Sequence, residues 1–187
     1  AASAGAREVE NSVPKVMRAN PFADVTSMLG PGGERWVPVH GVTAFSRATA
    51  LFDSCEAVFA RHAQEMRQLD IDHGYLIASV GLAGILLEPV LYWPEARLAF
   101  HERVLPPDYL AKLPTFPPNP AATEAVGRIR VALAENFTMQ GAVSFQLGKF
   151  YPYQRGLEPG AAQLLRQLKA MVDPQGRMNP GSLGLGN

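Results

Sequence analysis

The chain has 187 residues, 47% of them hydrophobic and 18% charged, with 17 basic side chains against 17 acidic ones. That length and apolar fraction suffice for a buried core and exclude wholesale disorder. A formal net charge of zero removes the electrostatic footprint of a general nucleic-acid binder. A lone cysteine, Cys55, excludes a disulfide framework and any cysteine-rich metal site.

No apolar run reaches the roughly eighteen residues of a membrane span, since Tyr75–Trp93 is interrupted by Gly81, Gly84, Glu88 and Pro89. The N-terminus, Ala-Ala-Ser-Ala-Gly-Ala-Arg, has neither a basic start nor a long apolar stretch. It is not read as a signal peptide, and a cytoplasmic location without membrane contact is expected. The first residue is not Met, which points to a processed chain or to a piece of a longer one.

Residues 1–34 read as an irregular N-terminal segment. It holds a short helical or extended piece over Arg7–Ala19 and a turn at Leu29-Gly-Pro-Gly-Gly33. Glu34–Thr43 is rich in β-formers, and Pro38 within it demands an edge strand or an irregularity. Ser46 is expected to cap a long helix to about Arg67, with Leu51, Phe52, Cys55, Val58, Phe59, His62 and Met66 on one stripe. Tyr75–Val80 and Ile85–Trp93 read as an antiparallel pair around a small-residue bend. The proline-rich stretch 94–120 reads as a surface excursion with one short helix. Asn119-Pro120 opens a second long helix buried through Ala122, Val126, Ile129, Leu133 and Phe137, ended by Gly141. Ala142–Leu147 reads as a strand. A third helix, about Gly160–Val172, is expected to bury Leu164, Leu165, Leu168 and Val172. The order predicts an α+β domain over 35–187: a ferredoxin-like β-α-β-β-α-β sandwich, with an antiparallel sheet, helices on one face, and a C-terminal helix and tail.

Motifs of familiar chemistry are missing. The four histidines have no metal-ligand spacing, so no metal is assigned. His62 reads as a core or boundary residue, while His40, beside Gly41 at a strand end, is a candidate to line a site. The 29–33 turn lacks the Gly-Lys-Ser/Thr ending of a phosphate loop. Cys55, on a buried stripe with no base in view, reads as a packing residue. Two segments stand out. Ser144-Phe-Gln-Leu-Gly-Lys-Phe-Tyr-Pro-Tyr153 gathers Gln146, Lys149 and phenols near a strand end, suited to a polar or anionic ligand; an ordinary strand end with a solvated lysine is the plainer reading beside it. Asp173-Pro-Gln-Gly-Arg-Met-Asn-Pro-Gly-Ser-Leu-Gly184 sets two proline-fixed turns in succession, unusual for a fraying terminus.

The second segment resembles the C-terminal signature of the FAD-linked oxidases of the vanillyl-alcohol oxidase and p-cresol methylhydroxylase superfamily. There a final helix leads into Asp-Pro-x-Gly-x-x-Asn/Ala-Pro-Gly, matched here by Asp173, Pro174, Gly176, Asn179, Pro180 and Gly181. The Gly30–Trp36 turn, the long helix after it and the element order are similar to that superfamily's substrate, or cap, domain over about 25–187. The resemblance implies a cap domain that sets a small alcohol, hydroxy acid or phenolic substrate against FAD, for hydride transfer to the flavin. The FAD-binding domain would be upstream in the same polypeptide or a separate subunit. Oxygen or a redox partner would take the electrons, in a chain free to form a homo-oligomer. Asn179 and Gly181 would lie near the cofactor. Gln146, Phe145 and His40 would bind substrate, Lys149 would stabilise negative charge, and Tyr151 would bind or deprotonate the substrate. The superfamily's Tyr-Arg pair falls at Phe145 and Gln146, which argues against its phenolate mechanism here. Its covalent flavin attachment falls near Ile85 and Leu86, which cannot form the bond, so FAD would be held non-covalently. The alternative is a stand-alone ferredoxin-like ligand-binding or protein-interaction domain without catalysis.

Overall fold

The structure, a computed structural model, describes residues 12–19, 21, 25–144 and 146–185. Its elements are helix α1 (Ser12–Ala19), strands β1 (Arg35–Pro38) and β2 (Gly41–Ala44), helix α2 (Ala48–Gln68), and strands β3 (Asp72–Val80) and β4 (Gly84–Trp93). Helices α3 (Ala99–Val104), α4 (Pro107–Leu110), α5 (Pro120–Met139) and α6 (Pro159–Val172) follow. The fold is α+β, with a four-stranded antiparallel sheet. Of the expected piece over Arg7–Ala19, α1 covers the C-terminal part, and residues 7–11 lie outside the described ones.

The sheet is three strands wide. β4 is central, with β3 along one side and β1 and β2 end to end along the other. β1 and β2 keep one register on β4, Arg35 opposite Trp93 and Ala44 opposite Gly84. They are one edge strand opened at Val39 and His40. The Val39 N–H reaches the Pro89 carbonyl at 2.9 Å, and Pro89 has no N–H to return to it. The irregularity that Pro38 announced is therefore enforced by a proline in the neighbouring strand. This bond also fixes the sidedness of the ladder: odd residues of β4 bond toward β1 and β2, and even ones toward β3.

One face of the sheet is covered by α2 and α5. Leu87, Leu91 and Trp93 meet Leu51, Cys55, Val58, Phe59 and Met66 of α2 and Val126, Ile129, Leu133 and Phe137 of α5 in one core. Ala122, Ala125 and Ala134, all buried, keep the two helices close. Asn119 caps α5, its Oδ1 accepting the Ala122 N–H at 3.1 Å. Gly141, at φ 69°, turns the chain out of it. The helix faces read from periodicity are thus the buried ones in α2 and α5, with Phe52 and His62 at the boundary. Ser46 does not cap α2; it lies in a 3-10 turn, Phe45–Arg47, that leads into the helix.

Three expectations change. The strand expected over Ala142–Leu147 survives as a single bridge, Val143 against Val42. The excursion 94–119 carries two short helices and is pinned from within: Arg97 donates to the carbonyls of Leu110, Leu113 and Pro114, and buried Glu95 accepts from Ala96, Asn119 and Thr123. The apolar stripe of α6 is not buried. Leu164 is 57% exposed, Leu168 44% and Val172 63%, and Ala162 is the helix's one buried residue.

Candidate functional site

The gap that Pro89 opens in the edge strand turns His40 into the interior, where it is fully buried. Outward of it lies the chain that follows α5. The His40 main-chain N–H donates to the Tyr151 hydroxyl oxygen at 3.2 Å, and the same oxygen lies 2.8 Å from His40 Nδ1. On the other side of the ring the Gln146 main-chain N–H donates to Nε2 at 3.3 Å. An amide N–H can only donate, so Nε2 is the accepting nitrogen. The neutral ring then carries its proton on Nδ1 and donates it to Tyr151. Burial lowers the His40 pKa and keeps the ring neutral. The Tyr151 oxygen accepts twice from one residue, which leaves its own O–H to point elsewhere.

Burial raises the Tyr151 pKa; the His40 N–H and the Arg130 charge oppose the rise, and the Glu88 charge adds to it. Tyr151 is therefore a protonated phenol at neutral pH. Arg130, from α5, lies with its guanidinium carbon 3.9 Å from the centre of the Phe150 ring. Its Nε is buried and has no hydrogen-bond partner among the described residues. Glu88 comes from the middle of β4, and burial raises its pKa too. Tyr151 opens onto a cleft of about 350 Å³ lined also by Ser144, Thr138, Tyr153 and Arg155. A neutral phenol, a hydroxyl and a guanidinium around one cleft suit a small ligand bearing oxygen atoms.

The tail forms the second part of the site. Asp173 is buried, and its carboxylate accepts from the main-chain N–H groups of Arg177 and Met178, each at 2.9 Å, and from Lys169 Nζ at 2.6 Å. The Lys169 bond, then these N–H groups, hold its pKa below the usual carboxylate range. This wraps the Asp-Pro-Gln-Gly turn around one side chain, with Gly176 at φ 63°. The chain then doubles back: the Leu183 N–H donates to the Gly148 carbonyl at 2.7 Å, and Gln154 Nε2 donates to the carbonyls of Leu183 and Gly184. Gly181 thereby comes beside Lys149; a Cβ on Gly181 would lie 4.0 Å from Lys149 Cε. Asn179, at φ 45°, is exposed two residues away.

The residues expected at a site thus fall into two neighbouring groups. His40, Tyr151 and the main chain of Gln146 form one, and Lys149, Gly181 and Asn179 the other. The Gln146 side chain is exposed, and it is the residue's N–H that touches His40. Phe145 lies outside the described residues. Sequence reasoning missed Arg130 and Glu88, which lie within a helix and a strand with no motif around them, and Arg155, which follows the tyrosines in plain view. Cys55 is a core residue whose thiol burial pushes up to about 12. Among the described residues no three His, Cys, Asp or Glu side chains are grouped to hold a metal ion, and no helix is long and apolar enough to cross a membrane. Compared with family models, with curated proteins and with solved structures, the chain matches none.

Proposed function

We propose that this chain is the C-terminal substrate, or cap, domain of an FAD-dependent oxidoreductase that oxidises a small alcohol, hydroxy acid or phenolic compound. The observation that carries the reading is the return of the tail. The Asn179-Pro-Gly181 stretch and the Gln146–Tyr151 stretch, far apart in sequence, meet through the Leu183–Gly148 bond, and these are the two segments that the resemblance sets beside the flavin. The sheet order supports it. The Val143 segment bridges to β2, and then β4 and β3 follow, an arrangement that supports a ferredoxin-like reading in which the last strand is reduced to one bridge. The uncovered stripe of α6 supports a partner domain over an isolated module.

The residues present fit one edge of a flavin. Lys149 Nζ and the Asn179 side-chain amide are exposed and have no partner among the described residues. A cation and an amide suit the pyrimidine end of the ring, where negative charge collects on reduction. FAD supplies the hydride acceptor. What this chain supplies is position and charge: Tyr151, protonated and held by His40, donates its O–H to a substrate oxygen, and Arg155 binds an anionic group on the same substrate. A phenol with a raised pKa serves as donor rather than base, so within the alternatives for Tyr151 we favour binding over deprotonation.

The test is to isolate the native polypeptide from its source with an antibody to this chain and record its intact mass and visible spectrum. The expected result is a flavin spectrum, in a polypeptide longer than this one by a domain or in a complex with a separate subunit. A colourless species of 20.2 kDa without a flavin-bearing partner would overturn the reading.

A further inference from the structure

β3 is an outer strand whose second edge faces no other strand among the described residues. Because even residues of β4 bond toward β3, the even residues of β3 bond back, and the N–H and C=O groups of His73, Tyr75, Ile77 and Ser79 point away from the sheet. The His73 N–H confirms the direction, since it is taken up by the Asp72 side chain at 2.8 Å. The amides of Tyr75, Ile77 and Ser79 have no such cap among the described residues.

Edge strands are normally protected by lysine, proline, a bulge or a covering element. Among the described residues β3 has none of these. Its nine residues pair with β4 in unbroken register, and no Asp, Glu, Lys or Arg occurs from His73 to Leu87. Leu76 is 50% exposed and Ile77 51%, on opposite faces, so both faces of the edge are open. Val80 and the turn residue Leu82 are exposed beside them.

We infer that this edge is where a second copy of the chain pairs, β3 against β3, antiparallel about a two-fold axis at Leu76. The strand is complementary to itself in that register. Tyr75 falls opposite Ile77 of the second copy and Ile77 opposite its Tyr75, an aromatic against a β-branched side chain both times. Gly74 meets Ala78, His73 meets Ser79 and Asp72 meets Val80, so no charge faces its like. The two Tyr75–Ile77 pairs exchange about four main-chain bonds at the centre, and the two sheets become one. This pairing stands apart from the flavin reading and survives its failure.

The 187-residue chain tests it by sedimentation over a dilution series, with amide hydrogen exchange followed residue by residue. The expected result is a concentration-dependent dimer in which the Tyr75, Ile77 and Ser79 amides slow by about tenfold or more on concentration. Leu76 and Ala78, bonded to β4, stay protected throughout. Ile77→Pro removes only an outward N–H and Ile77→Lys places a charge at the edge; both give a folded monomer. A monomer at every concentration with those amides exchanging freely would overturn the inference. So would protection at all dilutions in a monomer, which would mean that the chain's own residues cover the edge, or a dimer indifferent to both variants.

Discussion

Tyr151→Phe isolates the bond that organises the candidate site. The ring and its packing against His40 and Phe150 (centroids 4.6 and 5.1 Å apart) are kept; only the oxygen leaves. That oxygen accepts from the His40 main-chain N–H and from Nδ1, and His40 is fully buried, so both donors lose their partner where water does not reach the residue freely. Stranding a buried donor costs about 1–3 kcal/mol. Two donors on one residue, with Tyr151 itself half-buried and able to yield some space to water, set the loss at about 2–3 kcal/mol. At about 2–4 °C per kcal/mol for a domain of this size, Tm falls by about 4–12 °C in calorimetry. The same variant has a signature that a packing defect lacks. Nitrogen-detected NMR of the wild-type His40 ring finds the Nδ1–H tautomer at neutral pH, and the variant loses it as Nδ1–H seeks another acceptor. A Tm within about 1 °C of wild type, or an Nε2–H tautomer in the wild type, would refute the assignment of donors and acceptors at this site.

Four further outcomes follow from named contacts. Burial lowers the pKa of His40 and of His101, with Arg35 and Arg97 adding to the effect at His101; the unfolded chain then binds more protons just below the ordinary value of 6.5, so stability measured by urea unfolding is full above that pH and declines as pH falls through it. Asp173→Ala frees the main-chain N–H groups of Arg177 and Met178, and their exchange, with proteolysis of 174–185, accelerates while the core amides are unchanged. Gly41→Ala drives a Cβ to 2.7 Å from Phe137 Cδ1, an overpacking that costs about 1–3 kcal/mol in chemical denaturation and is relieved by Phe137→Leu. On α6, Leu168→Glu leaves Tm within about 1 °C of wild type because the side chain is exposed, whereas Leu133→Glu in the core prevents folding.

The parts of the fold legible in the sequence are those set by local period and by short-range turn chemistry. The stripes of α2 and α5, the Asn119-Pro120 start and the β3–β4 hairpin are decided by side chains a few residues apart, so they are read directly. The break at His40 is different. Pro38 flags it, but the missing ladder bond belongs to Pro89, far along the chain, and only the register brings the two together. The strand expected over 142–147 has the right alternation, yet past Val143 this stretch bonds to the His40 ring in place of the edge of β2. The His40–Tyr151 pair spans 111 residues with no motif at either end, and Arg130, packed on Phe150, acts on Tyr151 by its charge from a helix whose pattern reports packing alone. Chemistry at such a site is assembled by topology, which no spacing rule encodes.

The α6 stripe shows the limit from the other side. Leu164, Leu165, Leu168 and Val172 recur at the helical period as the buried residues of α2 do, so periodicity alone assigns the two helices the same fate. The period records that one face is apolar; it does not record what meets that face. In α2 the sheet meets it. In α6 the face stays largely open among the described residues, with only Leu165 half-buried, and the helix is held by polar contacts, Arg166 at its middle to Gln154 at 2.9 Å and Lys169 in its last turn to Asp173 at 2.6 Å. A helix placed by hydrogen bonds while its apolar face stays open is poorly stabilised by its own domain, because apolar burial, the largest favourable term, is not used. The same Asp173 that anchors Lys169 also wraps the turn that sends the tail back to Gly148. Helix, turn and tail are therefore one unit, oriented by a carboxylate and presenting Leu164, Leu168 and Val172 outward. Covering that face with a partner domain would fix the unit and the Lys149–Gly181 contact together. On the proposed function, the prediction is that Leu168→Glu, silent in the isolated chain, undocks the flavin-bearing domain, seen as loss of a separate subunit or, where the two share one polypeptide, as faster proteolysis between them, and that Leu164→Glu, one turn away on the same face, does so as well. Unchanged docking in both variants would separate the α6 face from the flavin reading.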